Sequence, residues 1–141
     1  MKPTVTVHKA PANSKAFRKR LFSGLGRYNR ELGGVDHWKP VAFEARSPSG
    51  KPVGGLFGNT YWGWLYISVL WIHGKYRAQK VGTELLRMAE AEALRRKCKY
   101  AHLDSFTFQA PGFYKKLGYK EFGRLDGLPQ GHSRIFLYKK L

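Results

Sequence analysis

A chain of 141 residues has the length of a single domain and room for a real core. Hydrophobic residues at 43% and aromatics at 15% give the composition of a folded globule, which excludes an intrinsically disordered chain. The 26 Lys and Arg against 9 Asp and Glu leave a net charge of +17. That surplus draws polyanions such as nucleic acid, anionic surfaces or phosphorylated small molecules, and does not choose among them.

Cys98 is the only cysteine, which rules out an intrachain disulfide and a cysteine-based zinc site. It stands in the basic run Arg95-Arg96-Lys97-Cys98-Lys99, a setting that favours a thiolate, but a bystander thiol is the preferred reading. The five histidines show no paired ligand spacing, so no metal is expected. The first residues lack the apolar stretch of a signal peptide. The longest apolar-rich run, residues 65–72, is far below the ~20 residues that span a bilayer. The chain therefore reads as one soluble, cytoplasmic domain over residues 1–141, a monomer or homodimer with no membrane partner.

In chain order, Val5 and Val7 suggest a short first strand. Ser14 makes an N-cap for a helical stretch with Phe17, Leu21, Leu25, Tyr28 and Leu32 at three- and four-residue steps. Gly24 and Gly26 weaken that stretch, leaving open one helix or a helix–break–helix. Strands follow over residues 41–46, 52–59 and 65–72, the first closed by the turn Ser47-Pro48-Ser49-Gly50. Along the third, alternation places Leu65, Ile67, Val69 and Trp71 on one side and Tyr66, Leu70 and Ile72 on the other. A strand apolar on both faces belongs in the middle of a covered sheet. Residues 80–97 read as a long helix with Val81, Leu85, Met88 and Ala89 inward. Its acids Glu84, Glu90 and Glu92 are placed for surface pairing with basic neighbours. A strand at 100–105 and a short helix at 110–117, with Pro111 in its first turn and Gly118 as its stop, come next. Strands at 119–124 and 133–139 complete an α/β chain with a mixed sheet.

The chemistry concentrates at Ile72-His73-Gly74-Lys75-Tyr76-Arg77-Ala78-Gln79-Lys80-Val81-Gly82-Thr83, where a central strand ends and the long helix begins. A helix start offers unpaired N–H groups and a partial positive charge, so it favours phosphate. Arg77 and Lys80 add formal charge there. Gly82 allows close backbone approach, and Thr83 supplies a hydroxyl. By itself this is an anion site. A Walker A loop is excluded, because Val69 stands where its first glycine belongs and Tyr76 follows Gly74-Lys75.

The stretch Tyr76–Gly82 resembles the Q/R-x-x-G-x-G/A coenzyme A loop of GNAT-type N-acetyltransferases. A second segment, Ala110-Pro111-Gly112-Phe113-Tyr114-Lys115-Lys116-Leu117-Gly118-Tyr119, is similar to that superfamily's A-x-x-F-Y-x-K-x-G-[FY]. Lys80 stands where the loop's first glycine is usual, and Thr107 where many members carry an asparagine that orients the cofactor. The resemblance implies a GNAT-like α/β fold: a central mixed, mostly antiparallel sheet with splayed central strands and flanking helices. It implies acetyl-CoA as cofactor, held in the cleft between the strands at 65–72 and 100–105. Leu70, Trp71 and Ile72 would serve its pantetheine arm, the segment Ala78, Gln79, Lys80, Val81, Gly82 and Thr83 its pyrophosphate with Arg77, and Thr107 its orientation.

The implied reaction is direct attack of a neutral amine on the thioester. Tyr114 matches the tyrosine that protonates the departing thiolate, and a phenol near ~10 against a thiol near ~8.5 suits that exchange. The alternative, less favoured, is that Phe113 and Tyr114 only pack the short helix onto the sheet. Asp104 is the leading candidate for the base, with a structural carboxylate as the even alternative; Glu44, His73 and His132 stand behind it. The aromatic bend Tyr61-Trp62-Gly63-Trp64 with Tyr66 offers Trp62, Trp64 and Tyr66 as an acceptor wall or as sheet packing. The expected activity is acetyl transfer to a primary amine of a small molecule or protein. The alternative is a basic nucleic-acid-binding module on an inactive scaffold of the same kind.

Overall fold

A computed structural model describes residues 4–141. The chain divides after Asp36 into two compact units. In the first, the described residues before Ser14 form no strand, so Val5 and Val7 do not supply the expected one. Strands need ladder partners, and the sheet described below draws none from this segment. Helix α1 (Lys15–Gly33) follows as one continuous element. The Ser14 side chain accepts a hydrogen bond from the Phe17 N–H at 3.2 Å, and Gly34, at φ 81°, closes the other end by donating to the Arg30 carbonyl. Both ends are thus capped, and Gly24 and Gly26, each costing ~1 kcal/mol in a helix interior, do not break it.

The second unit is built on a six-stranded sheet: β1 (Lys39–Arg46), β2 (Pro52–Tyr61), β3 (Trp64–Ile72), β4 (Tyr100–Phe106), β5 (Lys120–Asp126) and β6 (Ser133–Lys140). Their order is β1-β2-β3-β4-β6-β5, antiparallel throughout except for the parallel pair β3–β4. Between β3 and β4 runs α2 (Val81–Arg95), entered through a 3-10 turn at Gly74–Gln79. The short α3 (Pro111–Lys116) links β4 to β5. The mixed, mostly antiparallel sheet with helical crossovers agrees with the expected fold class.

Helix α2 covers one face of the sheet. Leu85, Leu86, Ala89 and Ala93 are buried there against Val41, Leu56, Leu65, Ile67, Ala101, Leu103, Ile135 and Leu137. The two alanines let the helix approach closely, which is how burial per residue becomes efficient. Met88, expected on the inner stripe, is exposed; it sits one residue, about 100°, around the helix from Ala89. Glu90, expected at the surface, is buried: both of its oxygens accept from Lys139 Nζ at 2.9 Å, and the Tyr119 hydroxyl reaches it at 3.5 Å. Burial and the Glu90 carboxylate both push the Tyr119 phenol well above its ordinary range. The acid is satisfied by its partners in the sheet, which is the condition for keeping it in the core. At the far end of α2, Arg96 donates to the carbonyls of Lys39 and Pro40 and to Thr60 Oγ1, and pairs with Glu92, tying the helix to β1 and β2. Cys98 is buried beside it, and desolvation raises its thiol despite Arg96, so the basic run does not yield a reactive thiolate.

The alternation read along β3 breaks at Ser68. Gly58 of β2 pairs with Ile67 while Phe57 pairs with Val69, leaving Ser68 as an extra residue in β3. Leu65 and Ile67 face α2 before this bulge. After it Leu70 and Ile72 pack toward the core, while Val69 and Trp71 are each 53% exposed. The expected grouping of Leu65, Ile67, Val69 and Trp71 is therefore divided in two.

Candidate active site

The parallel pair β3–β4 holds for three rungs only: Trp64 with Tyr100, Leu65 with Ala101, and Tyr66 with His102. Beyond Tyr66 and His102 the strands diverge, and the bulge at Ser68 turns β3 away at that point. The divergence opens a cavity of about 820 Å³ that cuts through the sheet. Its walls include Leu103, from the face covered by α2, and Asp104, from the opposite face.

One mouth of the cavity is the start of α2. Lys80 is its N-cap residue, yet no side chain caps the helix, so the first-turn N–H groups have no partner of that kind. Arg77, Ala78, Lys80, Gly82 and Thr83 line this mouth. Arg77 also donates from Nε to the Ile72 carbonyl at 3.0 Å, and the His73 Nδ1 accepts from the Lys75 N–H, so the turn is fixed to the end of β3. Lys80 has φ 59° and ψ 22°, the left-handed conformation that glycine adopts freely. That explains why a glycine suits this position and shows that Lys80 occupies it without one. Gly82 is buried, and a Cβ there would lie 3.1 Å from Ile72 Cδ1 and 3.2 Å from Phe113 Cζ. Its small size serves the packing of α2 on β3 and α3. Leu70, Trp71 and Ile72 line the cavity on the side where β3 has lost its β4 partner, so their backbone groups face the gap rather than a ladder. An uncapped helix start, two cations and an unpaired strand edge fit a long phosphorylated cofactor with an amide-bearing arm.

Deeper in, Tyr114 from α3 and Asp104 from β4 line the same cavity. Burial, and secondarily the Asp104 charge, push the Tyr114 phenol up to about 12. Asp104 Oδ2 accepts from Arg134 Nε at 2.8 Å, and Arg134 lies over the rings of Phe106 and Phe136. The candidate acid and the candidate base thus meet at one place.

Other expected residues fall elsewhere. Gln79 is exposed and Val81 packs toward the core; neither lines the cavity. Thr107 is turned to β6, where its Oγ1 accepts from the Ser133 N–H at 3.0 Å and lies 3.3 Å from His132 Nδ1. Phe108, Gln109 and Ala110 form the cavity wall at that level instead. Gln109 Oε1 accepts from the Phe106 N–H at 2.9 Å and shapes the exit from β4, a role that no spacing in the sequence signals. Glu44 pairs with Arg46 on β1, and His132 rests edge-on against Phe108; neither lines the cavity. Trp62 and Trp64 line a separate cavity with His102, and Tyr66 stacks on His102 at the last β3–β4 rung.

A splayed sheet with an uncapped helix start at the mouth of the splay and a phenol held neutral within it is the arrangement expected of an acyltransferase dependent on an acyl-CoA. A model of the acetyltransferase (GNAT) family matches residues 16–119, and the chain belongs to that family. It is 32% identical over 122 residues, 86% of its length, to the acetyltransferase Atu2258 of Agrobacterium fabrum (strain C58 / ATCC 33970), covering 89% of that protein. It is 34% identical over 93 residues to the blasticidin-S acetyltransferase of Streptomyces morookaense, covering 65% of this chain and 68% of that one. A crystal structure of an acetyltransferase from Bacillus cereus ATCC 14579 superposes with a TM-score of 0.85 at 31% identity, over 95% of this chain and 98% of that one. The chain is an acetyl-CoA-dependent acetyltransferase. Among the described residues no helix is long and apolar enough to cross a membrane.

Proposed function

We propose that the chain transfers the acetyl group of acetyl-CoA directly to a primary amine of a small-molecule acceptor, with both substrates bound together. The observation that carries this reading is the meeting of Tyr114, Asp104 and the uncapped start of α2 in one cavity cut through the sheet. Acetyl-CoA supplies an acetyl group activated as a thioester. Leu70, Trp71 and Ile72 bind its arm through the unpaired edge of β3, and Arg77, Ala78, Lys80, Gly82 and Thr83 bind its phosphates.

Tyr114 holds a proton on its hydroxyl at neutral pH and donates it to the leaving sulfur. Asp104 faces the side from which the amine enters and orients it, receiving its proton directly or through water. The pairing with Arg134 fixes the Asp104 carboxylate in position. The similarity to the blasticidin-S acetyltransferase supports a small-molecule acceptor.

Isothermal titration with acetyl-CoA and CoA should show binding in the low-micromolar range, about −8 kcal/mol. Tyr114→Phe should lower kcat with little change in cofactor affinity. Absence of cofactor binding at high concentration would overturn the reading, and an unchanged kcat with chemistry rate-limiting would remove Tyr114 from the acid role.

A further inference from the structure

The face of the sheet turned away from α2 carries a second cavity, of about 580 Å³. Its walls are Tyr61, Trp62 and Trp64 from the β2–β3 hairpin, His102 from β4, Phe122 from β5 and Tyr138 from β6. This volume lies within the range of small-molecule sites, roughly 300–1,000 Å³. Within the second unit, Trp62 is 44% exposed, Phe122 60% and Tyr138 37%. They stand at angles to one another. Phe122 meets Tyr138 at 78° with centroids 5.7 Å apart, and His102 meets Trp64 at 76° and 5.5 Å, so flat faces and edges are both presented inward.

The chemistry of the walls selects further. No lysine, arginine or carboxylate is among the lining residues, in a chain whose net charge is +17. The polar groups there include the Tyr61 hydroxyl and His102 Nε2, which face each other at 3.4 Å. Burial holds the His102 imidazole below its ordinary range, against the opposing pull of Asp104, so the wall is uncharged at neutral pH. A cavity of this kind takes a flat, uncharged ring and offers it one donor–acceptor pair.

The two cavities share no lining residue, but β4 contributes to both, His102 to this one and Asp104 to the cofactor cavity. His102 forms the last β3–β4 rung with Tyr66, and the two rings stack at 4.8 Å. Asp104 follows two residues along the same face of β4, about 7 Å further by strand geometry, and lines the cofactor cavity. A ring seated against His102 would therefore place a group on a short aliphatic arm beside Asp104.

We propose that this aromatic cavity is the acceptor subsite and that the acceptor is a primary amine carried, through a short arm, on a flat uncharged aromatic or heteroaromatic ring. The inference rests on the acetyltransfer reading above and names its substrate class. Trp62 and Trp64 act as walls, as does Phe122, and the Tyr61–His102 pair recognises a ring heteroatom or hydroxyl.

The test compares arylalkylamines with cyclohexylalkylamines of the same arm length, using the full chain saturated with acetyl-CoA. The aryl amine should be favoured in kcat/KM by about fivefold or more, mostly through KM. Trp62→Ala and Phe122→Ala, both at exposed positions, should each collapse that ratio toward one. Saturation-transfer NMR gives a readout free of turnover: benzyl alcohol should bind the chain and cyclohexylmethanol should not, with the signal lost in the double variant. Equal turnover of both amines with intact cofactor binding would overturn the aromatic subsite and leave the acetyltransfer reading standing. Failure of acetyl-CoA to bind would sink that reading first. Loss of self-association in the double variant, measured by sedimentation, without any benzyl alcohol signal in the parent would assign the cavity to a protein interface and overturn the proposal.

Discussion

A phenol placed in a buried pocket beside a carboxylate is held neutral by two effects of the same sign, and Tyr114 meets both. Its ionisation moves from ~10 in the unfolded chain to about 12 in the fold. Between those values the native state keeps a proton that the unfolded state has lost. The contribution to stability is therefore complete below pH ~10 and disappears as pH rises through about 12. For catalysis the consequence is the absence of an alkaline limb from this group. With an alkylamine acceptor, kcat/KM should climb with a slope near one from pH 7 toward ~10, as the free amine accumulates. A descending limb near pH 8–9 that vanishes in Tyr114→Phe would show that the phenol ionises far earlier than its surroundings require.

Lys80 belongs to the same scale. Its left-handed backbone costs about 1–2 kcal/mol relative to glycine, which the greater freedom of an unfolded glycine partly offsets. Its charge lies at the cavity mouth proposed above for the cofactor's phosphates. Lys80→Gly should accordingly leave the Tm unchanged or raise it by up to ~4 °C while weakening acetyl-CoA binding about threefold. Thermal melts and calorimetry on the same variant separate the two effects. A lower Tm with unaltered cofactor affinity would contradict the assignment on both counts.

At the level of elements, the bulge in β3 decides most of the site. Gly58 lies opposite it, and a Cβ on that residue would come 2.1 Å from the Tyr66 carbonyl oxygen, a backbone atom that cannot yield without moving the strand. Gly58→Ala should therefore cost about 2–3 kcal/mol in urea unfolding, at the upper end of what overpacking does to a core. An unchanged midpoint would mean that the strands part more easily than the register implies.

This element also marks how far the sequence could be read. Strand and helix positions from residue 39 onward follow from local periodicity and turn residues, which place an element even where a bulge shifts its register. The β3 alternation does not, since one inserted residue reverses every side chain after it. Gly58 gave no clear sign of that insertion, because its strand also holds Gly54, Gly55, Asn59 and Thr60. The placing of Tyr114 and Asp104 on one cavity follows from the motif and the strand end. The diversion of Thr107 toward Ser133 depends on where β6 begins in space, which no local pattern records. His102 escaped notice for a similar reason: a lone histidine in a strand gains meaning only when Tyr61, Trp64 and Tyr66 close around it.

For the molecule as a whole the dominant quantity is the +17 charge. Electrostatic attraction at long range helps an anionic cofactor to arrive and resists a cationic acceptor, and both effects fade as salt shortens the Debye length from ~10 Å at 0.1 M to ~3 Å at 1 M. A polyamine acceptor and an uncharged-ring monoamine should therefore respond to salt in different degrees. Raising ionic strength from about 0.05 to 0.5 M, at saturating acetyl-CoA, should increase kcat/KM for spermine several-fold and that for an arylalkylamine much less, because repulsion scales with the acceptor's charge. Steady-state kinetics across the salt series checks this directly. A fall in spermine turnover with added salt would place a local anionic patch at the acceptor entrance and make the neutral walls around Trp62 and His102 the wrong description of what the amine meets.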